Sequence, residues 1–356
     1  MNNLFTPFKI RGTELKNRIV VSPMQQYSSE DGFATDWHLV HLGSRAVGGA
    51  GLIITESASI NPMARSTKND LGMWKDEHIA KWQQINSFIK QQGTKTAIQL
   101  GHFGSKGSRS HPNEGFNYLE VENGGWQTVS ASPVAPFSGM SIPKALSIEE
   151  INQIKKDFKN AALRSVEAGF DIIELHFAHG YLVHQFLSKL INQRTDMYGG
   201  SFENRTRLAV EIVEEIRKVI PTEMPLFVRI SAVDYVESEN AWSIQDSIQF
   251  SQMLKSIGVD LITASAGGFS WVDKTKLSEG YQVPFSREIK QNTGIPTGSV
   301  GLITKATTAN EIITNSDADL VIIAREHLRN PYFATNASVE LGLPTELPWQ
   351  YKRAYI

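Results

Sequence analysis

Short apolar runs, evenly interleaved with amphipathic stretches, set the pattern of this chain. The runs at 18–24, 51–56, 95–100, 171–176, 226–231, 261–266, 296–301 and 320–324 read as strands. Segments such as GLIITE, DIIELH and LVIIA are apolar almost throughout rather than alternating, as expected of strands buried on both faces of a parallel sheet. Between them, apolar positions recur at helical spacing over 36–47, 77–91, 147–168, 204–219, 243–256, 285–292, 305–315 and 325–337. In 147–168, Ile148, Ile151, Ile154, Phe158, Ala161, Ala162 and Val166 share one face, Ser147 and Glu150 form a capping box, and Gly169 ends the helix. Eight strands, each followed by a helix, predict an α/β chain folded as a (β/α)8 TIM barrel. A doubly wound sheet competes, but it usually has fewer units, and no G-x-G-x-x-G follows the first strand.

Two stretches break the rhythm. In residues 1–17, the segment 8–10 with Gly12 reads as a hairpin closing the barrel bottom. Residues 102–146 form a long insertion after the third strand, rich in Gly, Ser, Pro and Asn and carrying Phe116, Tyr118, Trp126 and Phe137. A loop of that length at a barrel mouth is expected to be a lid. We expect one domain over 1–356. With 41% apolar residues the chain has ample material for a core. A net charge of −2 leaves no basic excess for nucleic acid. No basic amphipathic stretch, no apolar run long enough to span a membrane and no signal-like N-terminus are seen, so a soluble cytoplasmic protein is expected. The absence of cysteine removes disulfides, thiolate nucleophiles and Cys-ligated zinc or iron–sulfur clusters.

Barrel active sites gather at the C-terminal ends of the strands. Here those ends carry Ser22-Pro23-Met24-Gln25-Gln26-Tyr27, then Gln99 with His102 and Lys106 beyond, then His176-Phe177-Ala178-His179-Gly180-Tyr181, then Arg229, Gly298 to Gly301, and Ala324-Arg325. Two imidazoles can donate to one substrate oxygen, and a tyrosine of high pKa suits protonation of a basic carbon. Core histidines with local hydrogen bonds, or a metal site with His184 as third ligand, are the alternatives. Gly298, Gly301 and Arg325 suggest a phosphate site, against the reading that the glycines only make tight turns. Gln99 and Arg229 end buried strands and need partners, which a cofactor ring or an ordinary polar layer of the barrel could supply.

These residues, in this order, resemble the old yellow enzyme family of FMN-dependent ene-reductases, nearest its short, thermophilic-like bacterial subgroup. The motifs are Lys16-Asn-Arg-Ile-Val20, Ser22-Pro-Met24, His176-Phe-Ala-His179-Gly-Tyr181 and Arg194-Thr-Asp-Met-Tyr-Gly-Gly-Ser-Phe-Glu-Asn-Arg205. The resemblance implies FMN, contacted by Ser22, Pro23, Met24, Gln25, Ser57, Gln99 and Arg229, with Gly301, Ala324 and Arg325 on its phosphate. It implies His176 and His179 on the substrate oxygen, Tyr181 as proton donor, and Tyr27 and Lys106 lining the pocket. Arg353, in the C-terminal tail 343–356, would enter a neighbouring subunit of a homodimer or homotetramer. The implied reaction is ping-pong: NADPH or NADH reduces flavin N5, which then reduces the C=C bond of an alkene activated by a carbonyl or nitro group. Gln25 stands where the subgroup usually carries Cys, and Ala324 where Gly is usual. A cofactor-free lyase or isomerase and a flavin-binding protein with impaired turnover are the rival functions.

Overall fold

The computed structural model describes residues 2–137, 139–269, 277–344 and 346–355, without the side chain of Tyr355. Eight strands close a parallel barrel in chain order: β3 (Ile19–Val21), β4 (Leu52–Ser59), β5 (Lys95–Gly101), β8 (Ile172–Phe177), β9 (Leu226–Ser231), β10 (Leu261–Ser265), β11 (Thr297–Ser299) and β12 (Leu320–Ile323). β12 pairs with β3, completing the ring. The near-continuous apolar runs follow from this closure. Val20, Leu52, Ile54, Ala97, Ile172, Phe227, Leu261 and Ile322 fill the interior, while Ile19, Val21, Ile53 and Ile323 pack outward under the helices. The antiparallel hairpin β1 (Phe8–Ile10) and β2 (Thr13–Leu15) contributes Ile10 and Leu15 to the interior cluster, as expected of a bottom plug.

Helices α1 (Asp36–Val47), α2 (Ile79–Gln91), α3 (Ile148–Glu167), α5 (Phe202–Arg217), α6 (Ile244–Ser256), α7 (Val283–Thr293) and α8 (Ala306–Thr314) alternate with the strands. The Ser147 cap of α3 is present: Ser147 Oγ accepts from the Glu150 N–H at 3.3 Å, and Glu150 returns a carboxylate to the Ser147 N–H at 2.9 Å. Three expectations need correction. The helix expected over 325–337 is two, α9 (Arg325–Arg329) and α10 (Phe333–Leu341). Pro331 lies at the break, and it disfavours helical geometry at Asn330 before it. The first and seventh strands are shorter than their apolar runs, so Ser22 to Met24 and Val300 to Gly301 are mouth loops. A further helix, α4 (Leu182–Leu187), follows β8 directly. The insertion after β5 includes the short strands β6 (Val129–Ser130) and β7 (Lys144–Ala145), and its Phe116 ring packs on Tyr27 at 5.7 Å.

Candidate active site

Two adjoining cavities open at the C-terminal ends of the strands, sharing His179 and Arg229. The smaller, about 120 Å³, is a slot between Pro23, Gln25, Ser57, Gln99, Phe103, His176 and Tyr181. The larger, about 260 Å³, runs from Ser22 and Ser265 to Gly301, Ala324 and Arg325. A shift in the β4–β5 register between Ile54 and Ser57, the signature of a bulge, precedes the pairing of Ser57 with Gln99 at the slot.

The slot wall is set by β8 and the turn after it. His176 and His179 are buried, and burial followed by the nearby Arg229 charge holds both rings well below the ordinary histidine pKa. They are therefore neutral. Burial pushes the Tyr181 phenol up to about 12, and its ring stands 4.9 Å from His176 and 4.4 Å from Phe103. The turn is left-handed at His179 (φ 61°) and Gly180 (φ 70°). Buried side chains claim its four backbone polar groups. Ser231 Oγ takes the His179 N–H, Lys106 donates to the His179 carbonyl, His184 Nδ1 takes the Gly180 N–H, and Gln185 Nε2 donates to the Gly180 carbonyl.

Gln25 is oriented by its neighbour: the Ser57 N–H donates to Oε1 at 2.8 Å, and Nε2 is buried without a partner. Arg229 Nε is likewise buried and unpartnered, while Nη1 reaches Ser22 Oγ at 3.3 Å. Gln99 donates Nε2 to Glu174 at 2.7 Å, which leaves its carbonyl oxygen available to the slot. Buried donors without partners call for a ligand bearing acceptors. At the other end Gly301 has φ +125°, and a Cβ there would stand 3.0 Å from the Gln282 nitrogen, so only glycine allows the backbone this close approach. Ala324 sits at φ −102°, without left-handed strain, and Arg325 has no carboxylate partner among the described residues, whereas Arg329 is clamped to Glu326.

Twelve of the expected site residues thus line the two cavities, and four do not. The Met24 side chain faces a small void beside His38 and Leu42. Tyr27 packs under the insertion, its phenol pushed above its ordinary pKa by burial. Lys106 stands behind His179, its ammonium donating to the carbonyls of His179 and Gly268 and lowered by burial to about 7. Arg353 lies exposed in a 3-10 turn of the tail. His184 does not join the other two histidines at a metal: its nitrogens are taken by the Gly180 N–H and, at 2.9 Å, by Asp234. Sequence reading passed over Ser265, Gln282 and Glu174. Glu174 had a signal, since a carboxylate inside an apolar strand must be paired; it accepts from Gln99 and Thr263, and burial raises its pKa.

A cationic cradle with close backbone approach, opening onto a slot edged by orphaned donors, fits a phosphate-bearing heteroaromatic such as FMN; fold and site together define a flavin-binding barrel. Residues 3–345 match the NADH:flavin oxidoreductase / NADH oxidase family, and the chain belongs to it. It is an FMN-dependent oxidoreductase working with a reduced nicotinamide nucleotide. The NADPH dehydrogenase of Bacillus subtilis (strain 168) is 44% identical over 354 residues, covering 99% of both chains. That of Listeria innocua serovar 6a is 43% identical over 358 residues, covering 100% of both. The structure of morphinone reductase in complex with tetrahydroNAD superposes with a TM-score of 0.78 at 26% identity, covering 98% of this chain and 93% of that one. Among the described residues, no helix is long and apolar enough to cross a membrane.

Proposed function

We propose that this protein reduces C=C bonds conjugated to a carbonyl or nitro group, using NADPH or NADH, in two half-reactions that share one slot. The observation that carries this reading is the slot wall itself: two neutral imidazoles beside a phenol that keeps its proton, facing the orphaned Gln25 amide. Hydride exchange is the chemistry FMN supplies when bound. Ser22, Pro23, Gln25, Ser57, Gln99 and Arg229 would hold its ring and ribityl chain, with Met24 through its backbone, and Gly301, Ala324 and Arg325 its phosphate. His176 and His179 hold the oxygen of the activating group, and their N–H dipoles stabilise the negative charge that develops there. Tyr181, un-ionised at neutral pH, gives its proton to the carbon that becomes basic. Phe103 against Tyr181 shields that proton from water.

Family membership leaves no support for a cofactor-free lyase. A flavin binder with impaired turnover is separated by one experiment. The yellow protein, bleached by NADPH under nitrogen, should recolour with 2-cyclohexenone; failure to recolour would overturn the reductase reading. We further propose a homodimer or homotetramer in which Arg353 completes the neighbouring subunit's slot. The exposed Trp349 and Arg353, on a tail with Pro344 and Pro348, support it, since aromatic and Arg side chains anchor interfaces.

A further inference from the structure

The protons on the histidine pair can be located from the backbone. The Ala178 N–H donates to His176 Nδ1 at 3.2 Å, so the single proton of that neutral ring is on Nε2. His176 Nε2 lies 3.2 Å from His179 Nδ1 and donates to it. His179, also neutral, then carries its proton on Nε2, 2.7 Å from Ser265 Oγ. The resting order is therefore His176 to His179 to Ser265, with every imidazole proton committed. An oxygen in the slot can draw His176 Nε2–H onto itself, but His179 meets that oxygen with a bare Nδ1, which repels it. The ring cannot correct this by swinging away. Its backbone is held left-handed, with the N–H on Ser231 and the carbonyl on Lys106.

We propose that Ser265 is the tautomer switch of His179: it accepts from Nε2–H in the resting site, and it donates to Nε2 when a substrate oxygen enters, so that Nδ1 becomes the second N–H donor. A hydroxyl can play both parts by rotation. The change is proton-neutral: one proton leaves Nε2 and one is taken up at Nδ1 through water, and the ring stays uncharged. The slot, which His179 lines, gives water access to that nitrogen. Ser265 does not touch the substrate in this scheme; it is a positioning residue acting through His179. The inference rests on the reading that the histidine pair holds the acceptor oxygen. It assigns different roles to the two rings: His176 is a fixed donor, and His179 becomes one only after binding.

Histidine 15N spectra of the oxidised, flavin-loaded protein read the tautomer directly, with His179 assigned by its absence in His179→Gln. With 2-cyclohexenone and no reductant there is no turnover, and the ketone has no proton to give. We expect His179 protonated at Nε2 in the free protein and at Nδ1 with saturating cyclohexenone; the same tautomer in both states overturns the switch. Phenol titration of the flavin charge-transfer band gives a second measure. Ser265→Ala should weaken phenol binding roughly tenfold, the worth of one hydrogen bond, and Ser265→Thr should restore it, with flavin content equal in all three. Wild-type affinity in Ser265→Ala would also overturn the switch. Should His176→Ala bind phenol as the wild type does, the acceptor-site reading itself falls, whatever Ser265 does. The wild-type spectra decide independently of any Ser265 variant.

Discussion

Replacing the Gln25 side chain tests a single hydrogen bond. With Oε1 held by the Ser57 N–H, the amide can only offer Nε2 to the slot. A donor at the ring edge favours the electron-rich reduced form, and a bond of ~1 kcal/mol corresponds to about 20 mV for a two-electron couple. Gln25→Leu should therefore lower the flavin midpoint potential by about that amount or more; an unchanged potential would show that Nε2 points elsewhere. The wild type, with no cysteine, should also turn over after peroxide treatment, whereas Gln25→Cys should lose activity to it. The choice of residue at position 25 was legible in the sequence; its commitment was not, because the partner is a backbone N–H brought in by another strand. Ser265 was illegible for a related reason: serine closing an apolar strand looks like any strand end until His179 is seen 2.7 Å away.

The turn after β8 shows what an element can do that its residues cannot do singly. Four side chains from three segments hold two left-handed residues, so the turn is rigid without regular secondary structure. A Cβ on Gly180 would stand 2.5 Å from the Gly268 carbonyl oxygen, in a conformation already unfavourable for L residues. Gly180→Ala should therefore abolish the phenol charge-transfer band while FMN, held mainly by other loops, stays bound; an intact band would show that the turn tolerates displacement. At α3 the cap is local and remote from the slot, so Ser147→Ala should cost about 1 kcal/mol of stability by denaturant titration and leave turnover alone. Helices with caps and clean periodicity were readable from sequence for this local reason. The break between α9 and α10 was also written there, in Pro331, but the apolar spacing runs on through it.

Taken as a whole, the barrel buries neutral histidines, and this sets its response to acid. Burial is the first cause that lowers His41 and His102 to about 3 and His327 to about 4, and it lowers His176 and His179 as well. The unfolded chain takes up these protons near pH 6.5 and the fold refuses them, so their stabilisation is present above that pH and is lost as pH falls toward 4. His41, His102 and His327 each contribute about 1.4 kcal/mol per pH unit in that window. Asp70, raised by burial to about 6, opposes them over part of it. The melting temperature should fall by several degrees between pH 7 and pH 5; an unchanged value would mean the rings are charged in the fold. Deleting residues 349–356 should weaken both self-association and acceptor binding with flavin retained, and sedimentation with the KM for cyclohexenone checks both. The barrel was legible because eight βα units repeat; the convergence of loops at its mouth was not, since no spacing along the chain records which loops meet. One such meeting has a consequence for synthesis. Ser22 and Arg325 flank the junction where β12 pairs with β3, nearly the full chain length apart. A nascent chain still lacking β12 has no cradle to offer, so cofactor loading waits for that strand. Once loaded, a ligand that binds only the closed ring stabilises it by mass action. Limited proteolysis of flavin-free protein should then begin at that junction, and riboflavin starvation of the host should show first as fragments cut there.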